Sequence, residues 1–369
     1  MGAAGAVCGD CGNALCEGVA PGQRTHVAVN AVPLRGRVRD LARRLRGRDR
    51  ARRPRGRDRA RRPRGRDSAI VLGYQVGASA ARLAPLWLTE RVAKLAGPVL
   101  ARLMPAKAAM VRRHQARAQR WATASTDDLG RATAAAFSSY ARYWLESFRL
   151  PALSELTLDR GIDVPAYHHV EEALERGNGV ILALPHLGGW EWAGFWMATV
   201  NRLPITVVVE PLDPPELFEW FAEFRERLGM RVVPLGPNAG REVLGALRRN
   251  EIVCLLCDRD LTSDGIEVTF GDERTTLPAG PAMLALRSGA ALLPTAVYFR
   301  PRGRHLGTVR PPIDVTRHGC LRDDVAAVTQ RLADELVTLI AAEPHQWHLF
   351  GPNWPSDRTV GSGDAADAP

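Results

Sequence analysis

Strands and helices alternate along the chain from residue 165 onward, and no other feature of the sequence restricts the fold as strongly. A strand covered on both faces of a sheet is apolar along its whole length, as residues 180–184 are. Apolar residues that recur every three or four positions predict helices between such strands. Strands are expected at 180–184, 205–209, from 231, at 251–257 and at 291–299, and helices near 166–176, from 189, and at 214–229, 238–249, 280–288 and 321–342. This order predicts an α/β fold with a mostly parallel central sheet flanked by helices.

Three further helices are predicted ahead of this alternation, over residues 74–103, 107–122 and 126–148. The first two combine apolar positions with a polar face that is rich in arginine and lysine. Amphipathic helices with basic polar faces commonly lie in a lipid interface. Packing on a core with a solvated outer face would produce the same pattern. The sequence pattern alone fits both interpretations.

An arginine-rich repeat occupies much of the N-terminal region. Residues 46–54 read Arg-Gly-Arg-Asp-Arg-Ala-Arg-Arg-Pro, residues 55–63 repeat them, and a third copy begins at Arg64. Such a sequence has too little apolar surface to bury and is expected to be disordered. It is interpreted either as a polybasic arm for anionic lipid or RNA, or as sequence upstream of the true start site. The expected division is a basic tail over 1–67, a folded domain over 68–355 and a flexible tail over 356–369.

The net charge of +10 belongs to this tail. Residues 1–67 hold 18 Arg and 6 acidic residues, a net of +12, which leaves −2 for residues 68–369. No apolar run reaches the roughly 18–20 residues of a membrane-spanning helix, and no signal peptide is apparent. The six cysteines suggest neither a disulfide scaffold nor a metal site, so a reducing cytoplasm is expected.

The segment Leu184-Pro185-His186-Leu187-Gly188-Gly189-Trp190-Glu191 holds the candidate chemistry. His186 follows the apolar strand, and ligands of open α/β sheets gather at the carboxyl ends of strands. On one continuous helix His186 and Glu191 would point ~140° apart, so they meet only if His186 lies in a turn before the helix. Glu191 could then fix the imidazole tautomer and leave the other nitrogen as a general base. Exposed amides of the turn could hold an oxyanion.

This segment and six other blocks resemble the lysophospholipid acyltransferase superfamily, in its lipid A lauroyl/myristoyl acyltransferase branch. Within this branch the chain resembles the actinobacterial phosphatidylinositol mannoside acyltransferases, over roughly residues 70–355. The blocks lie at 140–146, 184–194, 221–229, 258–261, 265–268, 278–282 and 346–350.

The resemblance implies an acyltransferase domain over 68–355 that needs neither a metal nor a cofactor. By this resemblance its donor would be a long-chain acyl-CoA, palmitoyl-CoA in particular, and its acceptor a mannose hydroxyl of a phosphatidylinositol mannoside. His186 would act as general base and Glu191 would orient it. Glu210, Arg225 and Glu267 would bind substrate, with Arg225 pairing with Glu210 or with the acceptor's phosphate. The enzyme would be peripheral, on the cytoplasmic face of the inner membrane.

The chain departs from the resemblance where Glu191 replaces a frequent Asp and where a single aromatic, Phe270, precedes Gly271. The acceptor could therefore be another glycolipid or a lysophospholipid. A lipid hydrolase acting through an acyl-serine is a second alternative, but the chain has no Gly-x-Ser-x-Gly elbow. A nucleic-acid binder would depend on the basic tail alone, since the remainder is close to neutral.

Overall fold

The computed structural model describes residues 79, 86–122, 128–211, 215–261 and 264–358. The predicted arginine-rich tail, and nearly all of the predicted helix before residue 86, lie outside the described residues. Within them, none of the helices has both the length and the apolar character required to cross a membrane.

Three helices precede the sheet, as predicted: α1 (Leu86–Leu103), α2 (Pro105–Trp121) and α3 (Leu129–Arg149). Asp128 caps α3, where its side chain accepts a hydrogen bond from the amide of Arg131. Helix α1 crosses α3 at Gly97, where an added β-carbon would lie 2.6 Å from the amide nitrogen of Ser138. A glycine at this position therefore permits the close approach of the two helices.

Most of the remaining elements follow the alternation that the sequence predicts. In chain order they are α4 (Glu155–Arg160), β1 (Ile162–Asp163), α5 (His168–Glu175), β2 (Val180–Leu184), α6 (Trp190–Phe195), β3 (Ile205–Val209), α7 (Pro215–Arg227), β4 (Met230–Pro234), α8 (Ala239–Arg248), β5 (Ile252–Leu256), β6 (Ile266–Phe270), β7 (Glu273–Leu277), α9 (Gly280–Ser288), β8 (Ala291–Arg300), β9 (Arg304–Val309), α10 (Leu321–Ala342) and α11 (Pro355–Arg358).

Seven strands form one sheet in the order β1-β9-β8-β2-β5-β3-β4. Strands β8, β2, β5, β3 and β4 run parallel, whereas β9 is antiparallel to β8. The predicted α/β class with a mostly parallel sheet is confirmed. The antiparallel β9 and the separate β6–β7 hairpin are absent from the predicted alternation.

Helices cover both faces of the sheet, and side chains of β2 pack against the helices on each face. Its residues Ile181 and Ala183 pack in the cluster that includes α8, α9 and α10. Its residues Val180, Leu182 and Leu184 pack in the cluster that includes α5 and α6. This double coverage explains why the strand is apolar at every position.

The folded part extends beyond the predicted boundary at residue 355. Helix α11 follows it, and Asp357 in that helix is buried. The Asp357 carboxylate accepts hydrogen bonds from His114 and Arg117 of α2. The prediction that a flexible tail begins at 356 is therefore wrong, because buried partners hold these residues against α2.

Candidate active site

The turn after β2 places His186 at the carboxyl end of the sheet. Gly188 has a φ of 64°, and an added β-carbon there would lie 2.0 Å from the carbonyl oxygen of Val297. Only glycine fits this combination of backbone angle and close approach. The turn thereby separates His186 from α6, as predicted, and leaves the imidazole at the wall of a cavity.

The amides of this turn are already engaged. Leu187 donates to Pro185 O at 2.8 Å, Gly188 to Gln346 O at 2.9 Å, and Gly189 to Val297 O at 2.8 Å. The prediction that these amides hold an oxyanion is therefore wrong, because they anchor the turn to neighbouring backbone.

Asp258 is the hydrogen-bond partner of His186. Its Oδ1 lies 2.6 Å from His186 Nδ1, and its Oδ2 accepts from the His186 amide at 3.0 Å. The indole Nε1 of Trp347 donates to Oδ2 at 2.8 Å. Asp258 is fully buried, whereas the His186 side chain is 27% exposed. With Nδ1 held by the carboxylate, Nε2 is left to take up a proton from the cavity.

The Asp258 carboxylate is ionised despite its burial. Desolvation favours the neutral acid, but the charge and hydrogen bonds of His186 and the hydrogen bond from Trp347 outweigh it, so the pKa of Asp258 is lowered. An ionised carboxylate both orients the imidazole and stabilises the imidazolium that forms during proton transfer.

Glu191 does not orient His186, which corrects the predicted pairing. Its carboxylate accepts hydrogen bonds from Arg225, with Nε 3.1 Å from Oε1, and from the Tyr143 hydroxyl at 3.3 Å. Glu191 lies in the first turn of α6, and α7 brings Arg225 to it. Burial opposes the charge of Arg225, yet the Glu191 carboxylate raises the pKa of the guanidinium.

Asp258 could have been found by the rule that located His186. It follows β5, and β5 pairs with β2 in register from Val180↔Ile252 to Leu184↔Leu256. The two side chains therefore leave neighbouring parallel strands at the same edge. The sequence predicted Glu191 because the turn after β2 could bring it to His186, whereas the pairing of β2 with β5 is visible only in the folded sheet.

A cavity of about 400 Å³ opens beside His186 and continues between the sheet and α6. Its lining reaches back along β2, β3 and β5 to Leu182, Val207 and Cys254, which lie level with one another in the sheet. Its walls are largely apolar and include Leu182, Leu184, Ala193, Gly194, Met197, Val207, Cys254, Leu256 and Val297.

The residues predicted to bind substrate, Glu210, Arg225 and Glu267, do not all lie at the cavity. Glu210 lines the cavity, where its carboxylate accepts from Arg259 Nη2 at 2.7 Å. Arg225 also lines the cavity but pairs with Glu191, so the predicted pairing with Glu210 is wrong. Glu267 lies on the β6–β7 hairpin, is 63% exposed and pairs with Arg274, and it does not line the cavity. The geometry gives no support to an acceptor contact by Glu267.

A family model described as "Bacterial lipid A biosynthesis acyltransferase" matches residues 89–356, which is more than half of the chain. The chain belongs to this acyltransferase family. The chain is 44% identical over 228 residues to a phosphatidylinositol mannoside acyltransferase of Mycobacterium tuberculosis strain H37Rv, a match covering 60% of this chain and 70% of the relative.

Two further relatives are similar to this acyltransferase, and the first is much more similar than the second. A phosphatidylinositol mannoside acyltransferase of Mycolicibacterium smegmatis is 44% identical over 234 residues, covering 63% of this chain and 74% of the relative. A lipid A biosynthesis acyltransferase of Haemophilus influenzae is 24% identical over 184 residues, covering 48% of this chain and 54% of the relative.

His348 borders the acyltransferase cavity and supports the backbone of His186. Its amide donates to His186 O at 2.7 Å, and its Nε2 lies 2.8 Å from the Ser139 hydroxyl. Burial, and secondarily the positive charge of His186, lowers the pKa of His348 from 6.5 to about 3. Its imidazole is therefore neutral in the folded protein at any pH above that value.

This neutral imidazole predicts a pH dependence of stability. As the pH falls below about 6.5 the unfolded chain protonates His348 but the folded chain does not, so stability is complete above 6.5 and is lost toward pH 3. The slope from one such group is at most ~1.4 kcal/mol per pH unit. Urea unfolding of His348→Gln between about pH 4.5 and 6.5, above the usual carboxylate range, should show a shallower slope than wild type.

The matched control for this experiment is His168→Gln, which removes an exposed histidine. Burial also lowers the pKa of His345, but both variants retain that residue. Equal slopes in the two variants would show that the neutral buried state assigned to His348 is wrong.

Proposed function

We propose that this acyltransferase moves a long-chain acyl group, palmitoyl in the simplest case, from acyl-CoA to a mannose hydroxyl of a phosphatidylinositol mannoside. The observation that carries the proposal is the apolar cavity that ends at the His186–Asp258 pair. The cavity walls suit a hydrocarbon chain, and the imidazole stands where the chain's thioester would emerge. The two mycobacterial relatives, both named for phosphatidylinositol mannoside, supply the acceptor class.

In the proposed reaction His186 Nε2 takes the proton of the acceptor hydroxyl as the oxygen attacks the thioester carbonyl carbon. The new C–O bond forms while the carbonyl π electrons move to oxygen. Collapse of this intermediate breaks the C–S bond, and the imidazolium returns its proton to the departing thiolate. Asp258 stabilises the imidazolium through both steps.

The proposal is tested with purified enzyme, vesicles containing phosphatidylinositol mannoside, and a series of acyl-CoA donors from lauroyl to stearoyl. A mass spectrum of the lipid product should show one added acyl group on mannose, with palmitoyl-CoA the best donor. His186→Ala should form no product, whereas the control His168→Ala should remain active. This difference would show that the product is formed at this site. Acylation of a lysophospholipid in preference to the mannoside would contradict the proposed acceptor.

We further infer that α1 attaches the enzyme to the cytoplasmic face of the inner membrane. Four apolar side chains are exposed along one side of this helix at helical spacing: Val92 (43%), Leu95 (75%), Val99 (52%) and Leu103 (72%). The basic residues Lys94 and Arg102 also lie on α1. An apolar stripe beside basic groups is the pattern of an interfacial helix on anionic lipid. This favours the lipid interpretation of the predicted amphipathic helices.

The double variant Leu95→Asp/Leu103→Asp should bind anionic vesicles more weakly than wild type in a sedimentation assay. Each buried leucine contributes about 1.5–3 kcal/mol on transfer out of water, so a loss of at least tenfold in vesicle affinity is expected. Leu156→Asp is the matched control, since Leu156 is 57% exposed on α4. Equal binding by the α1 variant and this control would contradict attachment through α1.

A further inference from the structure

Two basic side chains line the mouth of the cavity without a role in the proposed acyl transfer. Arg259 directly follows Asp258, the partner of His186, and Lys107 lies on α2. Arg259 and His186 line the same cavity. A ligand held by the Arg259 guanidinium would therefore be a part of the substrate that occupies this cavity.

The charged groups that line the cavity leave an excess of positive charge at its mouth. The Glu191 carboxylate is neutralised by Arg225, and the Glu210 carboxylate by Arg259. Within the described residues no ion pair involves Lys107, and its side chain is exposed. The lining therefore favours an anionic ligand beside Lys107 and Arg259.

Arg259 has hydrogen-bonding capacity that its protein contacts do not use. Its Nη2 donates to Glu210, but its Nε is buried and has no hydrogen-bond partner in the described part of the chain. Nη1 lies close to Gly351, where an added β-carbon would be 3.6 Å away. Buried donors without partners are rare in native proteins, and the planar guanidinium matches the oxygens of a phosphate.

Arg225 is not available for the phosphate contact that the sequence suggested. Its guanidinium is held in a buried network with Glu191 and Tyr143. Withdrawing it from Glu191 would leave that carboxylate buried without a counter-charge, which is strongly unfavourable. The basic groups that can meet a phosphate at this mouth are therefore Arg259 and Lys107.

We propose that Arg259 and Lys107 form a binding site for a phosphate ester of a substrate, with Arg259 as the hydrogen-bonding group and Lys107 as a second positive charge. This inference rests on the proposed function for its choice of substrates. Both substrates carry phosphate esters. In the acceptor the phosphodiester is on the inositol that bears the mannose, whereas in acyl-CoA the pantetheine arm separates the diphosphate from the thioester. The cavity that Arg259 and Lys107 share with His186 favours the acceptor.

Kinetics with substrates that lack phosphate test the site. Arg259→Gln/Lys107→Gln should raise the KM for phosphatidylinositol mannoside at least tenfold, with a smaller change in kcat. With methyl mannoside as acceptor, the variant and wild type should have the same KM. If instead the KM for acyl-CoA rises while that for acyl-pantetheine does not, the phosphate recognised is the donor's. Arg112→Gln/Arg241→Gln removes two exposed charges elsewhere and should behave as wild type.

A direct binding measurement separates this inference from the proposed function. Calorimetric titration with inositol 1-phosphate requires no acyl transfer and should show binding to wild type and to the control variant, with at least tenfold weaker binding to Arg259→Gln/Lys107→Gln. If no transfer occurs but this difference is present, the proposed function fails and the phosphate site stands. Equal binding by wild type and the Arg259→Gln/Lys107→Gln variant, whatever the activity, would overturn the phosphate site. Lys107 is exposed, so Lys107→Gln alone should fold like wild type. Weaker binding of inositol 1-phosphate by this single variant would show that the loss does not come from misfolding.

Discussion

His186→Ala and Asp258→Asn should each lower kcat for acyl transfer by about 10²- to 10⁴-fold, the usual contribution of a positioned general base. Asparagine is nearly the same size as aspartate but cannot stabilise the imidazolium by its charge. It would also turn an amide N–H₂ either toward His186 Nδ1, or toward the His186 amide and Trp347 Nε1, all of which now reach the carboxylate.

The double variant His186→Ala/Asp258→Asn should be no slower than His186→Ala alone. Residues that act as one unit have strongly non-additive effects, because removing the base leaves the aspartate nothing to orient. The measurement is kcat for each variant at saturating donor, normalised to the folded fraction found by circular dichroism. An Asp258→Asn enzyme with near wild-type kcat would contradict the assignment of Asp258 as the partner of His186.

Arg225→Met should lower the free energy of unfolding by about 3–5 kcal/mol, the usual cost of breaking a buried ion pair by removing one partner. The side chains of Glu191 and Arg225 are only 6% and 15% exposed. Without the guanidinium, Glu191 must either be protonated or remain charged without a counter-ion. Urea unfolding with comparison of m-values measures the change.

Two further variants make this prediction specific. Glu191→Leu/Arg225→Met should recover most of the lost stability, since a well-packed apolar pair can replace a buried ion pair. Arg227→Met is the matched control on the same helix, because its pair with Glu223 is highly exposed and contributes little. Equal destabilisation by Arg225→Met and Arg227→Met would refute a structural role for the buried pair.

The paired variant also decides whether Glu191 takes part in catalysis. If Glu191 only positions α6 and α7, Glu191→Leu/Arg225→Met should keep kcat within a few-fold of wild type once refolded. A loss comparable to that of His186→Ala would restore the catalytic role that the sequence suggested for Glu191. Because Glu191 and Arg225 both line the cavity, KM for the donor is measured as well.

Local sequence was sufficient to predict the elements that are strongly apolar or that have clear start and stop signals. The bounds of β2, β3, α9 and α10 were predicted residue for residue. Strand β9 was missed because it reads Arg-His-Leu-Gly-Thr-Val, with polar residues and a glycine between its apolar positions. Its pairing with β8 depends on a neighbour that only the folded chain supplies.

The sequence by itself determined the fold class, the family and the position of His186 at the end of a buried strand. Apolar periodicity and glycine placement act over a few residues, so they can be recognised directly in the amino-acid sequence. Tertiary structure decided that Asp258, 72 positions away, orients the imidazole and that Arg225 neutralises Glu191. The register of β2 with β5 and the packing of α7 on α6 set those distances, and spacing along the chain does not.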